Sequence, residues 1–355
     1  MKKTLIALTL AALPVAAMAE VTLYGTIKGG LEFTKVKGVD NTITDVNDWG
    51  SKIGFKGEED LGSGLKAIWQ VEQKISLDSK STKRNQQFAN LDSFIGLDTG
   101  FGKVRAGWLS DSLNNMGDLN LSEGNGWLDL DPLWGRTEGR ATGVRYDSPD
   151  FAGLSFNALY SPEDNNRYDQ ARKLVQGSTA LQDQLGWKGD DLDGFDGVAD
   201  IVNGATTNKW IGSVGVNYAA AGFWAKYGYK HIHNNAGKNK DGHVHRLMGG
   251  YDANNIFAGL GYQYTKNFDG ANVETQEIAA SAAYTMGNVV PHVTVAYGFE
   301  DKVDGKKEKD SDYIQAIVGV DYNLSKRTSA LANVGWFKQD DYQAYTGGVG
   351  LRHKF

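Results

Sequence analysis

The sequence contains no cysteine and only five prolines among its 355 residues, whereas it has 45 glycines. Without thiols, neither disulfide bonds nor thiolate chemistry are available to this chain. Scarce proline and abundant glycine favour strands joined by tight turns, because proline breaks strand hydrogen bonding and glycine tolerates turn conformations. The composition is therefore typical of a turn-rich β protein.

Long hydrophobic runs are also missing after residue 19, so the sequence predicts no membrane helix, which needs about 20 apolar residues. The short apolar run from Leu5 to Ala17 follows Lys2 and Lys3 and precedes an A-x-A site that ends at Ala19. This order is typical of a signal peptide. We expect residues 1–19 to be cleaved on export, with an N-terminal anchor helix as the alternative, and residues 20–355 to form one domain.

The sequence also lacks an excess of positive charge, since its formal net charge is -6 at pH 7. Nucleic-acid binding depends on clustered lysine and arginine that neutralise phosphates, so we expect no nucleic-acid partner. The mean hydropathy of -0.42 resembles that of a water-soluble protein. A membrane β-barrel also scores as polar, because half of each strand faces water. Hydropathy therefore does not separate these two classes.

Strict alternation is what the sequence does contain, most clearly at its C-terminus. Val349, Leu351 and Phe355 share one parity with His353, while Gly348, Gly350, Arg352 and Lys354 share the other. A period of two indicates a strand with two different faces. A mostly apolar face opposite a charged face is typical of an outer-membrane barrel strand between lipid and a wet lumen.

Sixteen such segments follow residue 20, joined alternately by short turns and long polar loops. The long loops include those near 36–48, 109–138 and 162–208. Short connections at one end and long ones at the other are typical of a barrel in the outer membrane. The predicted fold is all-β, a 16-stranded antiparallel transmembrane β-barrel with long extracellular loops.

Tyrosines recur one or two residues before the short turns and always with the apolar parity; they are Tyr146, Tyr218, Tyr251, Tyr284 and Tyr322. Tyrosine prefers the membrane–water boundary, since its ring is apolar and its tip polar. The repetition predicts an aromatic girdle at the periplasmic end. It disfavours a soluble sandwich.

The inward parity is rich in charge, which cannot pack as a dry core because unpaired buried charge is costly. A sixteen-stranded barrel leaves a water-filled channel. The predicted lumen cations include Lys66, Lys74, Lys103, Arg105 and Arg145.

The loop at 109–138 has the opposite charge, and its carboxylates include Asp111, Asp118, Glu123, Asp129 and Asp131. If this loop folds inward, it places carboxylates opposite the basic wall and creates a transverse field across the opening. An acidic loop exposed at the surface is the alternative, and spacing alone leaves both open.

Several stretches resemble the neisserial porins, the trimeric general porins of Gram-negative bacteria. They are VTLYGTIK, GSKIGFKGEEDLGSGLKAIWQVEQK, SFIGL, VRYDSPDFAGLS, HRLMGGYD, SKRTSALANVGW and GVGLRHKF, with MKKTLIALTLAALPVAA at the start. The resemblance implies a homotrimer in the outer membrane, in contact with lipid and lipopolysaccharide. It also implies an inward-folded third loop that forms the constriction, and passive diffusion of ions and small hydrophilic solutes.

This chain departs from the family pattern near the third loop. Trp108 and Leu91 stand where these porins commonly carry arginine, and residues 126–134 replace their usual Asn-Pro-Trp-Asp. Both losses of positive charge favour a weak cation preference. The excess of basic residues on the inward parity argues the other way.

We assign no cofactor, no metal and no catalytic residue from the sequence. Two His-x-His doublets flank the fifth long loop and are the remaining candidates for a transition-metal ion or lipopolysaccharide phosphates; they are His231, His233, His243 and His245. Ordinary interfacial polarity is the favoured interpretation of these histidines. The alternative function is a surface adhesin or ligand receptor with a plugged lumen, for which the loop at 162–208 offers the surface.

Overall fold

One antiparallel sheet dominates the computed structural model, which describes residues 20–78, 88–117, 119–130, 133–162, 210–236 and 239–355. Within these ranges the strands are β1 (Glu20–Val36), β2 (Thr42–Asp48), β3 (Lys52–Gly62), β4 (Leu65–Lys74), β5 (Ser93–Thr99), β6 (Gly102–Ser110), β7 (Arg140–Asp147), β8 (Leu154–Ser161), β9 (Ile211–Ala220), β10 (Phe223–Ile232), β11 (Gly242–Ala253), β12 (Ile256–Lys266), β13 (Val273–Tyr284), β14 (Val289–Gly298), β15 (Lys302–Val303), β16 (Lys306–Lys307), β17 (Tyr313–Asn323), β18 (Thr328–Gln339) and β19 (Tyr342–Lys354). The expected signal peptide at 1–19 lies outside the described residues.

The sheet closes on itself because β1 pairs with β19, from Thr26 opposite Lys354 to Val36 opposite Ala344. Gly25 and Phe355 exchange two backbone hydrogen bonds of 3.1 Å at the end of this seam. Closure pairs the first and last strands of the sheet with each other, as a barrel in lipid requires.

The nineteen strands form sixteen segments of the barrel wall, here called staves. This is because β2 and β3 pair with successive parts of the same edge of β1 and count as one stave, and β15–β16 form a small extra hairpin. The predicted 16-stranded antiparallel barrel is confirmed. No helix in the described part of the chain is long and apolar enough to cross a membrane.

The prediction of a loop near 36–48 is wrong for residues 42–48, which form β2 and extend the second stave. The stave is interrupted after Asp48, whose carboxylate accepts hydrogen bonds from Gly50 N (2.7 Å) and Ser51 N (2.9 Å). Gly50 has a φ of 90°, a conformation that glycine adopts without strain. The break turns Trp49 inward, where it is buried, although simple alternation places this side chain on the lipid face.

Alternation holds in the longer strands. On β19, Val349 and Leu351 are 51% and 55% exposed on the outside, while Gly348 and Gly350 face inward against Leu128 and Trp49. The outer face of the other strands is equally apolar and exposed. An apolar band around a closed barrel fits a lipid environment.

The tyrosines before the short turns lie on this outer face. Tyr218, Tyr284 and Tyr322 are each about half exposed, and the Tyr251 ring lies 5.0 Å from the Phe223 ring of the neighbouring strand. Their position at one end of the barrel agrees with the expected girdle.

Candidate pore constriction

Residues 111–139, here called the third loop, connect β6 to β7, and those of them that the structure describes lie against the inner wall of the barrel. The described part contains three short 3-10 helices at Asn114–Met116, Gly126–Leu128 and Trp134–Thr137. Six of its apolar side chains are almost fully buried; they are Leu113, Met116, Leu119, Leu128, Leu130 and Trp134. A loop exposed at the surface would leave such side chains in water, so the inward fold is confirmed.

Inward-facing glycines make room for the loop. A Cβ atom on Gly228 would lie 2.5 Å from Met116 Sδ, and one on Gly259 would lie 2.6 Å from the Leu119 side chain. On β18, a Cβ atom at Gly335 would lie only 2.0 Å from the carbonyl oxygen of Trp127. Larger side chains at these places would force the loop away from the wall.

Arg246 on β11 is a fully buried charged anchor, with its side chain 0% exposed. It donates to the Trp134 carbonyl (2.7 Å) and Thr137 Oγ1 (3.0 Å) of the loop, and to Gln263 Oε1 (2.9 Å) of β12. Glu138 supplies the countercharge. A buried guanidinium is tolerated only when its donors are satisfied, and these partners satisfy them.

Lys230 on β10 holds the first turn of the loop. Its ammonium lies 2.7 Å from Asp111 Oδ2 and donates to the Thr137 carbonyl at 3.0 Å. The Asp111 side chain is 2% exposed, and its other oxygen accepts the Asn114 N–H at 2.9 Å. Asp111 therefore fastens the loop rather than facing the channel.

Glu123 joins the loop to the barrel seam. Its oxygens lie 2.5 Å from Lys28 Nζ on β1 and 3.1 Å from Arg352 Nη1 on β19. Arg352 also pairs with Asp321 at 3.0 Å. Glu123 is therefore the shared countercharge of Lys28 and Arg352.

Arg136 fastens the end of the loop to β13 and to the turn that precedes it. Its guanidinium pairs with Glu277 at 2.6 Å and Asp269 at 2.9 Å, and donates to Thr275 Oγ1 at 2.9 Å. Tyr313 donates its hydroxyl to Glu277 at 2.5 Å.

The tip of the loop is held by ring stacking and backbone groups. Trp127 lies 3.7 Å from Phe337 of β18 with the ring planes 5° apart. Gln315 of β17 donates to the carbonyls of Trp127 (3.2 Å) and Asp129 (2.9 Å). These contacts complete a series of anchors that extends from β9 to β19 and on to β1.

The anchored strands β9–β14, β17–β19 and β1 are here called the docked arc, and β3–β6 the open arc. Among the described residues, no hydrogen bond joins the third loop to β3, β4 or β5. A cavity of about 530 Å³ lies between the loop, β1, β19 and Lys74 at the end of β4 in the open arc. Its lining includes Lys28, Trp49, Lys74, Asn120, Glu123, Asn125, Asp129 and Arg352.

The structure brings only some of the predicted site residues to this cavity, namely Lys74, Glu123 and Asp129. Asp118 and Asp131 lie outside the described residues. Lys66 and Lys103 are near the short turns, where they pair with Glu58 (2.6 Å) and Asp98 (3.3 Å).

Arg105 and Arg145 meet directly across β6 and β7 and share one carboxylate. Asp147 lies 2.5 Å from Arg105 Nη2 and 2.8 Å from Arg145 Nη2. Arg145 is 2% exposed and also donates to the Ser110 carbonyl at 2.9 Å, at the base of the third loop. This pair therefore orders the wall beside the channel.

The anchors Lys230 and Arg246 were missed as site residues. Their signal in the sequence is charge at inward parity on β10 and β11, which both residues share with many others. The path of the loop decides which cation meets a partner, and that path was not predictable from alternation.

Comparison with known proteins identifies this arrangement. A family model described as Gram-negative porin matches residues 4–342. The chain belongs to the Gram-negative porin family. It is 39% identical over 392 aligned residues to the major outer membrane protein P.IB of Neisseria sicca, with all of both chains covered. The corresponding protein of Neisseria meningitidis serogroup A is 41% identical over 374 residues, again with full coverage.

Solved structures agree on the fold of this porin. An anion-selective porin from Comamonas acidovorans matches with a TM-score of 0.66 at 19% identity, covering 95% of this chain and 100% of that one. OmpF of Salmonella typhi, in complex with daunomycin, matches at 0.64 and 17% identity, covering 95% and 98%. The porin resides in the outer membrane and lets solutes pass through its barrel. Its family is one of channels rather than enzymes, and the absence of catalysis stays a prediction.

Proposed function

We propose that ions and small hydrophilic solutes cross this porin along the open arc, past residues 120–125 of the third loop. The observation that carries this route is the one-sided docking of the loop, which covers β9–β19 and leaves the cavity beside Lys74. The lining of this cavity is mostly polar, so hydrated solutes exchange water contacts for protein contacts at little cost.

Conductance of the refolded protein in a planar bilayer tests the open channel. We expect stable, large current steps at low voltage. Properly folded barrels without conductance would contradict the route and support the alternative function, a surface adhesin or receptor with a plugged lumen.

We propose that the channel discriminates only weakly between ions, with a slight preference for anions. Lys28, Lys74 and Arg352 line the described part of the cavity, against Glu123 and Asp129. On the open arc, Lys52 and Lys66 are neutralised by carboxylates at 3.1 Å and 2.6 Å. The weak cation preference expected from the missing arginines at Leu91 and Trp108 stays the alternative. The sign of the reversal potential under a KCl gradient separates the two.

We propose that the porin is a homotrimer whose outer face contacts lipid and lipopolysaccharide. The support is the exposed apolar band together with the neisserial resemblance, and an OmpT structure of Vibrio cholerae is described as a trimer form at a TM-score of 0.64. Current steps in groups of three, with a trimer mass in detergent, would agree with this assembly. A monomer mass with single steps would contradict it.

A further inference from the structure

The histidines at the loop end of β10 form a cluster that the channel does not use. The ligand atoms of His231, His233 and Asp241 all lie within 4.8 Å of one another. We propose that this triad binds a divalent transition-metal ion of the Zn²⁺ or Ni²⁺ type. Imidazole nitrogens with a carboxylate oxygen are a ligand set that such ions prefer.

The spacing around the carboxylate agrees with a coordination site. Asp241 Oδ1 lies 3.0 Å from His233 Nδ1, and Oδ2 lies 3.4 Å from His231 Nε2. In a tetrahedral site with bonds of about 2.0–2.1 Å, neighbouring donor atoms are about 3.3 Å apart. The donor atoms of the triad all lie within 4.8 Å of one another, so the two imidazoles must move closer together to form three bonds to one ion.

The triad is held in position by its surroundings. Asn234 N donates to Asp241 Oδ1 at 2.9 Å, and His233 N donates to the Trp210 carbonyl at 2.9 Å. The Trp210 ring lies 4.5 Å from the His231 ring and 5.8 Å from the His233 ring. Such support fixes ring orientation, which metal ligands require.

The two histidines of the other doublet, His243 and His245, lie at different distances from the triad. His243 is directly opposite His231 in the strand register, and the two ring centres are 5.0 Å apart. His243 therefore lies beside the triad, with its Nδ1 hydrogen-bonded to the Tyr229 hydroxyl at 2.9 Å. His245 lies one outward position farther along β11 and hydrogen-bonds to the Tyr227 hydroxyl at 2.8 Å, outside the triad.

The site is accessible without opening the barrel. The side chains of His231, His233 and Asp241 are 17%, 33% and 31% exposed. All belong to the outer parity or to the loop, so an ion reaches them from outside the lumen. Binding there is separable from conductance, which depends on the third loop.

Calorimetry with the full-length refolded porin in chelator-treated detergent tests the proposal, with ZnCl2 and NiCl2 as titrants. We expect one site per chain. Loss of supporting groups typically weakens metal sites by about 10–100-fold, so Asp241→Asn and His233→Gln should each weaken binding by at least about tenfold. The matched control is His245→Gln, which should change the affinity by less than about twofold.

Conductance of each variant shows that the barrel is intact. Absence of saturable binding in the unaltered porin would overturn the proposal. Equal binding in the double variant Asp241→Asn/His233→Gln would overturn it as well. A loss in His245→Gln as large as in the triad variants would place the ion on the other doublet and would also contradict the triad.

Discussion

The docked arc and the open arc carry the same types of inward charge but use them differently. On the docked arc, the side chains of Arg246 and Lys230 are 0% and 7% exposed and hold the third loop. On the open arc, Lys66 and Lys103 are 43% and 52% exposed and pair within the wall. Burial makes the first group structural, whereas the second group stays in contact with solvent and is neutralised within the wall. Parity alone therefore does not define a channel-lining residue.

Removing a docked anchor should have the largest effect. Arg246→Ala leaves Glu138 and the Trp134 carbonyl without their buried partner, so we expect the loop to lose about 3–5 kcal/mol of local stability. Hydrogen exchange of residues 133–139, followed by mass spectrometry, measures this loss. The control on the open arc is Lys103→Ala, which should change stability by less than about 1 kcal/mol. Similar exchange in both variants would remove the distinction between the arcs.

Crowding the docked arc should have the next largest effect. Gly335→Ala places Cβ 2.0 Å from the Trp127 carbonyl oxygen, and a backbone atom cannot rotate away. We expect a displaced loop tip and a cost of about 1–3 kcal/mol. Gly347→Ala is the matched control, since its Cβ would meet nothing within 4 Å. Thermal unfolding and single-channel current of both variants measure the difference, and equal behaviour would contradict close docking at β18.

A change of charge at the boundary of the arcs should act on selectivity. Glu123→Gln removes the countercharge of Lys28 and Arg352 at the cavity. A unit charge at about 4 Å in water is worth about 1 kcal/mol, so we expect the anion-to-cation permeability ratio to rise about two- to fivefold. Glu58→Gln, near the short turns, is the control. Reversal potentials under a salt gradient provide the ratio, and no shift for Glu123→Gln would place the selective section elsewhere.

The smallest effect concerns pH at the loop end of the docked arc. Burial raises the pKa of the Asp301 carboxyl to about 6. An unfolded aspartate has a pKa of about 4, so the ionised group costs native stability progressively from about pH 4 to pH 6, and fully above pH 6. Asp301→Asn should therefore raise the melting temperature at pH 7.5 and leave it unchanged at pH 4. An equal change at both pH values would contradict this cause.

Much of the barrel was predictable, because a period of two specifies both the strand and its faces. The side chains of Val349 and Leu351 on β19 face outward as expected. The error at residues 42–49 arose from a local break that Asp48 caps through its own carboxylate. One irregular residue exchanges the inward and outward positions in the residues that follow it. Alternation alone does not reveal where such an exchange occurs.

The site was less predictable, because its partners meet across the lumen. Lys230 and Asp111 are 119 positions apart in the sequence and in contact at 2.7 Å. The charged residues at inward positions of the strands predicted the basic wall of the channel. The acidic loop was expected to lie opposite this wall. The pairing of that loop with one arc depends on packing of Leu113, Leu119 and Trp134 against glycines, which alternation does not show.

Cysteine accessibility tests the separation of the two arcs most directly, since the natural chain has no cysteine. Gln70→Cys places a thiol on the open arc, and Ser281→Cys places one under the third loop, where the native side chain is 5% exposed. A cationic methanethiosulfonate reagent, added during single-channel recording, should react rapidly at residue 70 and reduce the current. It should not react at residue 281 on the same timescale. Rapid reaction at residue 281 and none at residue 70 would place the channel on the other side of the loop and contradict the account.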